Sequence, residues 1–166
     1  MIYGEKFLPI NEGIIDKLKQ GSIISKHVKE YDQYNKKFIS KYNYASENVQ
    51  KTDVILNHIV DIKNKESYIK RADQNLSIAS KEIEEALNLT IDFQKKHKDF
   101  VEKERLNEKE FVAIFDSKNP YPPVDENTIM GKKQSYYKDI IRTNLKWCKE
   151  LKDTINHDNK ILNKYR

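Results

Sequence analysis

The stretch IKRADQNLSIASKEIEEALNLTIDFQKKHKDF, residues 69–100, decides how the chain folds. Taking alternately every third and every fourth residue gives Ile69, Ala72, Leu76, Ala79, Ile83, Ala86, Thr90, Phe93, His97 and Phe100. Residues three and four apart stack on one side of an α-helix. A strict seven-residue repeat keeps that side turned toward one packing partner. The spacing therefore predicts a long amphipathic helix whose stripe must be covered.

The cover is supplied from within the chain. Upstream, Val28, Tyr31, Asn35, Phe38, Tyr42, Ala45, Val49, Thr52, Leu56 and Ile59 repeat the same rhythm. Continuing that phase would place Lys63 and Glu66 on the stripe, and Lys63-Asn64-Lys65-Glu66-Ser67 is wholly polar. A phase break inside a polar run predicts a turn between two antiparallel helices. Each arm of about 35 residues would be roughly 50 Å long at 1.5 Å per residue. A single uninterrupted rod would leave its stripe in need of a second chain, so the hairpin is the favoured reading. Ser46-Glu47-Asn48 marks a place where the first arm could divide into two shorter helices.

Punctuation supports long helices. Gly4, Pro9, Gly13 and Gly21 precede residue 22, and Pro120, Pro122, Pro123 and Gly131 follow residue 119. Between Ser22 and Asn119 there is neither glycine nor proline, the two main helix breakers. At the front, Phe7 to Lys19 is read as a short helix with Ile14, Ile15 and Leu18 on one face. Downstream, Asn107 and Glu110 resemble a capping box opening a short helix with Phe111, Ile114 and Phe115. Pro120-Tyr121-Pro122-Pro123 then enforces an extended connector. Ser135 is the expected cap of a last helix, which carries Tyr137, Ile141, Cys148, Leu151, Ile155, Leu162 and Tyr165 on a stripe interrupted by Asn144 and Asp158.

These elements predict an all-α protein: an elongated three- or four-helix bundle built on a long antiparallel helical hairpin with coiled-coil-like heptads. One helical domain is expected over 1–166. It comprises an N-terminal arm with a short helix (1–21), the hairpin (22–105), a short helix with a proline-rich connector (106–134) and the C-terminal helix (135–166).

Composition agrees with that class. Of the 166 residues, 37% are hydrophobic and 34% charged, a surface-rich balance. Ten tyrosines and six phenylalanines are too many for a disordered chain. The formal charge of +5 is modest, permitting an acidic or nucleic-acid partner without requiring one. Cys148 is the only cysteine, so no internal disulfide can form and a reducing compartment fits. With no signal-like start and no apolar run long enough to span a bilayer, a soluble intracellular protein is expected, cytoplasmic or in an organelle.

Chemistry-bearing motifs are sparse. His27, His58, His97 and His157 are too widely separated to make a local metal motif, and none is preceded three residues earlier by Glu. Ser67-Tyr68-Ile69-Lys70 and Ser135-Tyr136-Tyr137-Lys138 match Ser-x-x-Lys but lack its companion motifs. No glycine-rich phosphate loop occurs. Glu82, Glu84 and Glu85 read as a solvated face, and Cys148 as a buried inert thiol. Neither an enzyme nor a cofactor is expected, and no motif identifies a family.

Two surfaces remain as candidates. Lys138, Arg142, Lys146 and Lys149 recur on one face of the last helix, with Lys132, Lys133, Tyr136 and Trp147 near in sequence. Such a row suits a phosphate backbone or an acidic partner; the competing account is an ordinary solvent face, partly neutralised by Asp139, Glu150 and Asp153. Tyr34 and Tyr44, off the first stripe, and Tyr121 in the connector are candidates for a protein contact. The expected function is that of a non-enzymatic scaffold, adaptor or small subunit binding a protein partner, with a homodimer as one way to cover unfilled stripes. A nucleic-acid-binding protein and an enzyme-docking inhibitor or immunity protein are the alternatives.

Overall fold

The computed structural model describes residues 2–103 and 137–166, with side chains at 22, 23, 25–103 and 140–166. The expected short helix at 107–115, the proline connector with Tyr121, and Lys132, Lys133 and Ser135 lie outside the described residues. The described residues form three α-helices: α1 (Ile2–His58), α2 (Lys65–Lys103) and α3 (Tyr137–Asn163). Among the described residues there is no strand, and no helix is long and apolar enough to cross a membrane.

Helix α1 runs unbroken through the glycines of its first 21 residues and through Ser46-Glu47-Asn48. A glycine inside a helix costs roughly 1 kcal/mol relative to alanine and need not end it. Asn48 is accommodated by donating its Nδ2 to the Tyr44 carbonyl at 2.8 Å, which satisfies a buried amide within the helix. A single 3₁₀ turn, Ile59–Asp61, closes α1, and the Ile62 N–H bonds the Ile59 carbonyl. The polar run then does its work in part: residues 62–64 make the turn, while Lys65, Glu66 and Ser67 open α2.

The contacts divide the chain into two units, Met1–Gln33 with Lys95–Tyr137 and Tyr34–Gln94 with Lys138–Arg166. In the second unit three helices pack together. Tyr34 meets Thr90, and Lys41 meets Glu82 and Glu85, so α1 and α2 are antiparallel. Glu84 meets Lys152 and Asp73 meets Arg166, so α3 is antiparallel to α2 and parallel to α1.

The α2 stripe is buried as its spacing predicts: Ala72, Leu76, Ala79, Ile83, Ala86, Thr90, Phe93 and His97 are inside, with Ile69 and Phe100 half-buried at its ends. Alanine occupies every seventh position from 72 to 86 and is fully buried, which lets neighbouring backbones approach closely. On α1 the row Tyr31, Phe38, Ala45, Thr52 and Ile59 is also inside. Its companion row follows the expectation at Val28 and Val49, which are buried, and departs from it by one residue at Tyr34 and Ile55, buried where Asn35 and Leu56 are half-buried. Each fully buried large apolar side chain contributes about 1.5–3 kcal/mol of transfer free energy before entropy is charged against it.

On α3 the buried row is an unbroken heptad, Ile141, Asn144, Cys148, Leu151, Ile155, Asp158 and Leu162. Asn144 and Asp158 do not interrupt the stripe; they belong to it.

Candidate functional site

The first candidate feature is a polar chain through the apolar core of the second unit. Asn144 Nδ2 donates to the Tyr34 hydroxyl at 3.0 Å, the Tyr34 hydroxyl lies 2.8 Å from Thr90 Oγ1, and Thr90 Oγ1 lies 2.8 Å from the Ala86 carbonyl. Thr90 has one hydroxyl proton and a carbonyl can only accept, so Thr90 donates to Ala86 and receives from Tyr34. The direction of the chain is thereby fixed, from α3 through α1 to α2, with each proton used once. The Tyr34 ring stacks on Phe93 with centroids 4.8 Å apart. Burial raises the Tyr34 phenol above its ordinary value, so it stays neutral and able to donate. Tyr34, expected on a contact surface, is 6% exposed and is therefore a core residue. Two helices flank α1 here, and a residue just off one seam falls on the other.

The second feature is a pair of carboxyl groups. Asp158 of α3 is 3% exposed, and its Oδ2 finds no hydrogen-bond partner. Burial first, then hydrogen bonding to and the charge of Asp53 of α1, push its pKa up to about 7. Cys148, on the same row, is fully buried, and burial lifts its thiol to about 11. A neutral thiol of that kind is a packing residue and a poor nucleophile.

In the first unit, His27 Nε2 lies 3.0 Å from His97 Nδ1, and the His27 ring stacks on Phe100 at 4.1 Å between centroids. Burial, helped by the positive charge of Lys96, lowers the His27 pKa to about 4. One ring must donate and the other accept, which suits two neutral imidazoles. Among the described residues no group of three or more His, Cys, Asp or Glu side chains is gathered as metal ligands would be.

The surface candidates are now placed. Arg142, Lys146 and Lys149 are exposed, and Lys146 lies 3.7 Å from Glu150 one turn on. The Lys138 side chain lies outside the described residues. Trp147 is half-exposed and leans on Tyr42, ring centroids 5.9 Å apart, toward α1 and away from the basic row. Tyr44 is 46% exposed and lines an open groove with Lys36, Lys37, Ser40, Lys41 and Glu82.

The three glutamates expected to form a solvated face do more than that. Glu82 and Glu85 pair with Lys41 of α1, and Glu84 pairs with Lys152 of α3 at 3.0 Å. They flank the buried Ile83 and Ala86 on both sides and link α2 to each neighbour. The sequence signal for Asn144 and Asp158 was their position at heptad spacing among apolar residues. Nothing in the sequence singles out Asp53 as the partner of Asp158, because the pairing depends on the relative register of α1 and α3.

Taken together, these features define an all-α chain with a helical hairpin joined in its second unit by a third helix, and with ionisable groups built into its core. Comparison with protein-family models, curated proteins and solved structures finds no match.

Proposed function

We propose that the chain is a helical adaptor that binds another protein through the outer side of α1, the partner contributing an acidic segment. The observation that carries this reading is Tyr44, which is exposed in a groove beside Lys36, Lys37 and Lys41 although the core seams nearby are filled. Tyrosine offers a large amphipathic contact with few rotatable bonds, and flanking lysines select an acidic partner and speed its approach. Ile39 and Val54, both well exposed on α1, add apolar area to the same helix. Lys41 is already engaged by Glu82 and Glu85, so an acidic partner would be met first by Lys36 and Lys37.

The test places a photoreactive residue at Tyr44 and compares the wild-type background with a Lys36→Glu, Lys37→Glu background. Crosslinking of one acidic protein that the charge-reversed chain fails to capture, with the helical circular dichroism unchanged, supports the adaptor. Equal crosslinking from both backgrounds removes it.

A second reading is nucleic-acid binding through α3, favoured by the exposed row Arg142, Lys146 and Lys149. Fluorescence anisotropy with single-stranded RNA and duplex DNA at about 50 and about 200 mM salt decides it. Phosphate neutralisation requires a steep loss of affinity with salt, and the Arg142→Glu, Lys146→Glu variant should then fail to bind.

A further inference from the structure

We propose that Asp53 and Asp158 form a proton-operated latch between α1 and α3: a proton held between the two carboxyl groups keeps the helices together, and its loss loosens α3. The argument begins with placement. Asp158 stands at an inward heptad position, with Ile155 before it and Leu162 after it, and is buried to the same degree as those neighbours. A charged carboxylate there would lose its hydration and meet no compensating cation. As the neutral acid it can donate to Asp53 and pack as a polar side chain of moderate size. The orphaned Oδ2 shows why ionisation is so unfavourable at this site: a carboxylate needs hydrogen-bond donors on both oxygens, and this oxygen has none.

The surrounding charges do not rescue the ionised form. On α1 the group that bears on Asp158 is Asp53, an acid of the same sign. On α2, Asp73, Lys81 and Glu84 line a groove beside Asn159 of α3. Glu84 is matched by Lys152 of α3 and Asp73 by Arg166, so these two cations are already engaged by α2. The proton is thus the neutralising partner of the pair, as expected where two carboxyl groups share a buried site.

The sign of the response follows. An acid whose folded pKa lies above its unfolded value binds more protons in the folded state over the interval between the two. That interval runs from the ordinary aspartate value up to about 7. The latch is closed below it and is progressively lost as pH rises through it, after which further alkali has no added effect. Up to tenfold in the open-to-closed ratio per pH unit is available to a single proton.

The experiment uses the full chain. Thermal unfolding of the wild type, Asp158→Asn and Asp53→Asn is followed from about pH 4.5 to about pH 8.5, alongside a carbon-13 NMR titration of the wild-type aspartate carboxyl groups. Asparagine mimics the neutral acid and cannot ionise. The expected result is a Tm advantage of Asp158→Asn over wild type that widens up to neutrality and then levels, with a smaller advantage for Asp53→Asn. In the NMR titration one carboxyl should have its midpoint near neutrality, and Asp53→Asn should lower it. A Tm gap that is constant across the range, or every aspartate titrating in the ordinary acidic range, overturns the latch. Should Asp158→Asn fail to fold, the wild-type NMR titration still decides.

Discussion

The side-chain amide of Asn144 rests 3.0 Å from the hydroxyl of Tyr34, across 110 residues of sequence and buried inside the second unit. Tyr34→Phe keeps the ring against Phe93 and removes only the oxygen. It strands the Asn144 donor, a buried unsatisfied group that costs about 1–3 kcal/mol. Urea unfolding should show that loss in the single variant. Adding Asn144→Leu should recover part of it, because both ends of the hydrogen bond are then apolar. Additive losses in the double variant would mean that the two side chains are energetically independent.

Acid should weaken the first unit through His27. Its folded pKa is lowered to about 4 from the ordinary imidazole value of 6.5, so between those values the unfolded chain binds more protons. The contribution is complete above about 6.5 and fades as pH falls toward 4, by at most roughly 1.4 kcal/mol per pH unit. Hydrogen exchange of the amides around His27 and His97 should therefore accelerate over that range beyond the intrinsic pH effect. His27→Phe, which can still stack on Phe100, should flatten the response.

Ala86 is fully buried between Ile83 and Thr90 on the inward side of α2. Ala86→Leu inserts three carbons where neighbouring helices approach closely, and overpacking of this kind costs about 1–3 kcal/mol. A fall in urea midpoint with an unchanged slope would show lost stability within the same fold. An unchanged midpoint would mean that the seam has room to spare.

Much of this architecture could be read in advance, and the parts that could not share a cause. The α2 stripe was legible residue by residue because a heptad repeat fixes which side of a helix is covered. The α1 stripe was legible in its first row and at Val28 and Val49 of its second, and departs by one residue at Tyr34 and Ile55, since periodicity does not reveal how many helices flank an arm. Asn144 and Asp158 looked like defects for the same reason: their partners, Tyr34 and Asp53, sit on an element more than a hundred residues away. Tyr44 was correctly placed at the surface, whereas Lys132, Lys133 and Tyr121 lie outside the described residues.

Lys41 joins α1 to α2 through Glu82 and Glu85, and the pairing raises the lysine above its ordinary value while lowering Glu85. These groups are solvent-accessible, and exposed ion pairs contribute little. Lys41→Met should change stability by less than about 1 kcal/mol, and the difference should shrink in high salt. A loss several times larger would assign the groove a structural role and weaken its use as a docking surface.

Cys148 should resist thiol reagents in the folded chain, being fully buried with its thiol raised to about 11. Labelling with a maleimide at neutral pH should proceed only as fast as local opening of α3 permits and become rapid in denaturant. Prompt labelling without denaturant would show that the α3 seam opens freely.

The alanine row also leaves an ambiguity that the aromatic and polar groups around Tyr34 remove. Sliding α2 by seven residues along α1 would exchange Ala86 for Ala79 and Ile83 for Leu76 with little change in packing, but it would put Ala86 where Phe93 stacks on Tyr34. The same slide would bring Ile83 to the place of Thr90, opposite a Tyr34 hydroxyl that then has nowhere to donate. Three hydrogen-bonding side chains thus act as an indexing pin, selecting one alignment of otherwise interchangeable turns, as a lone polar residue does in paired helices.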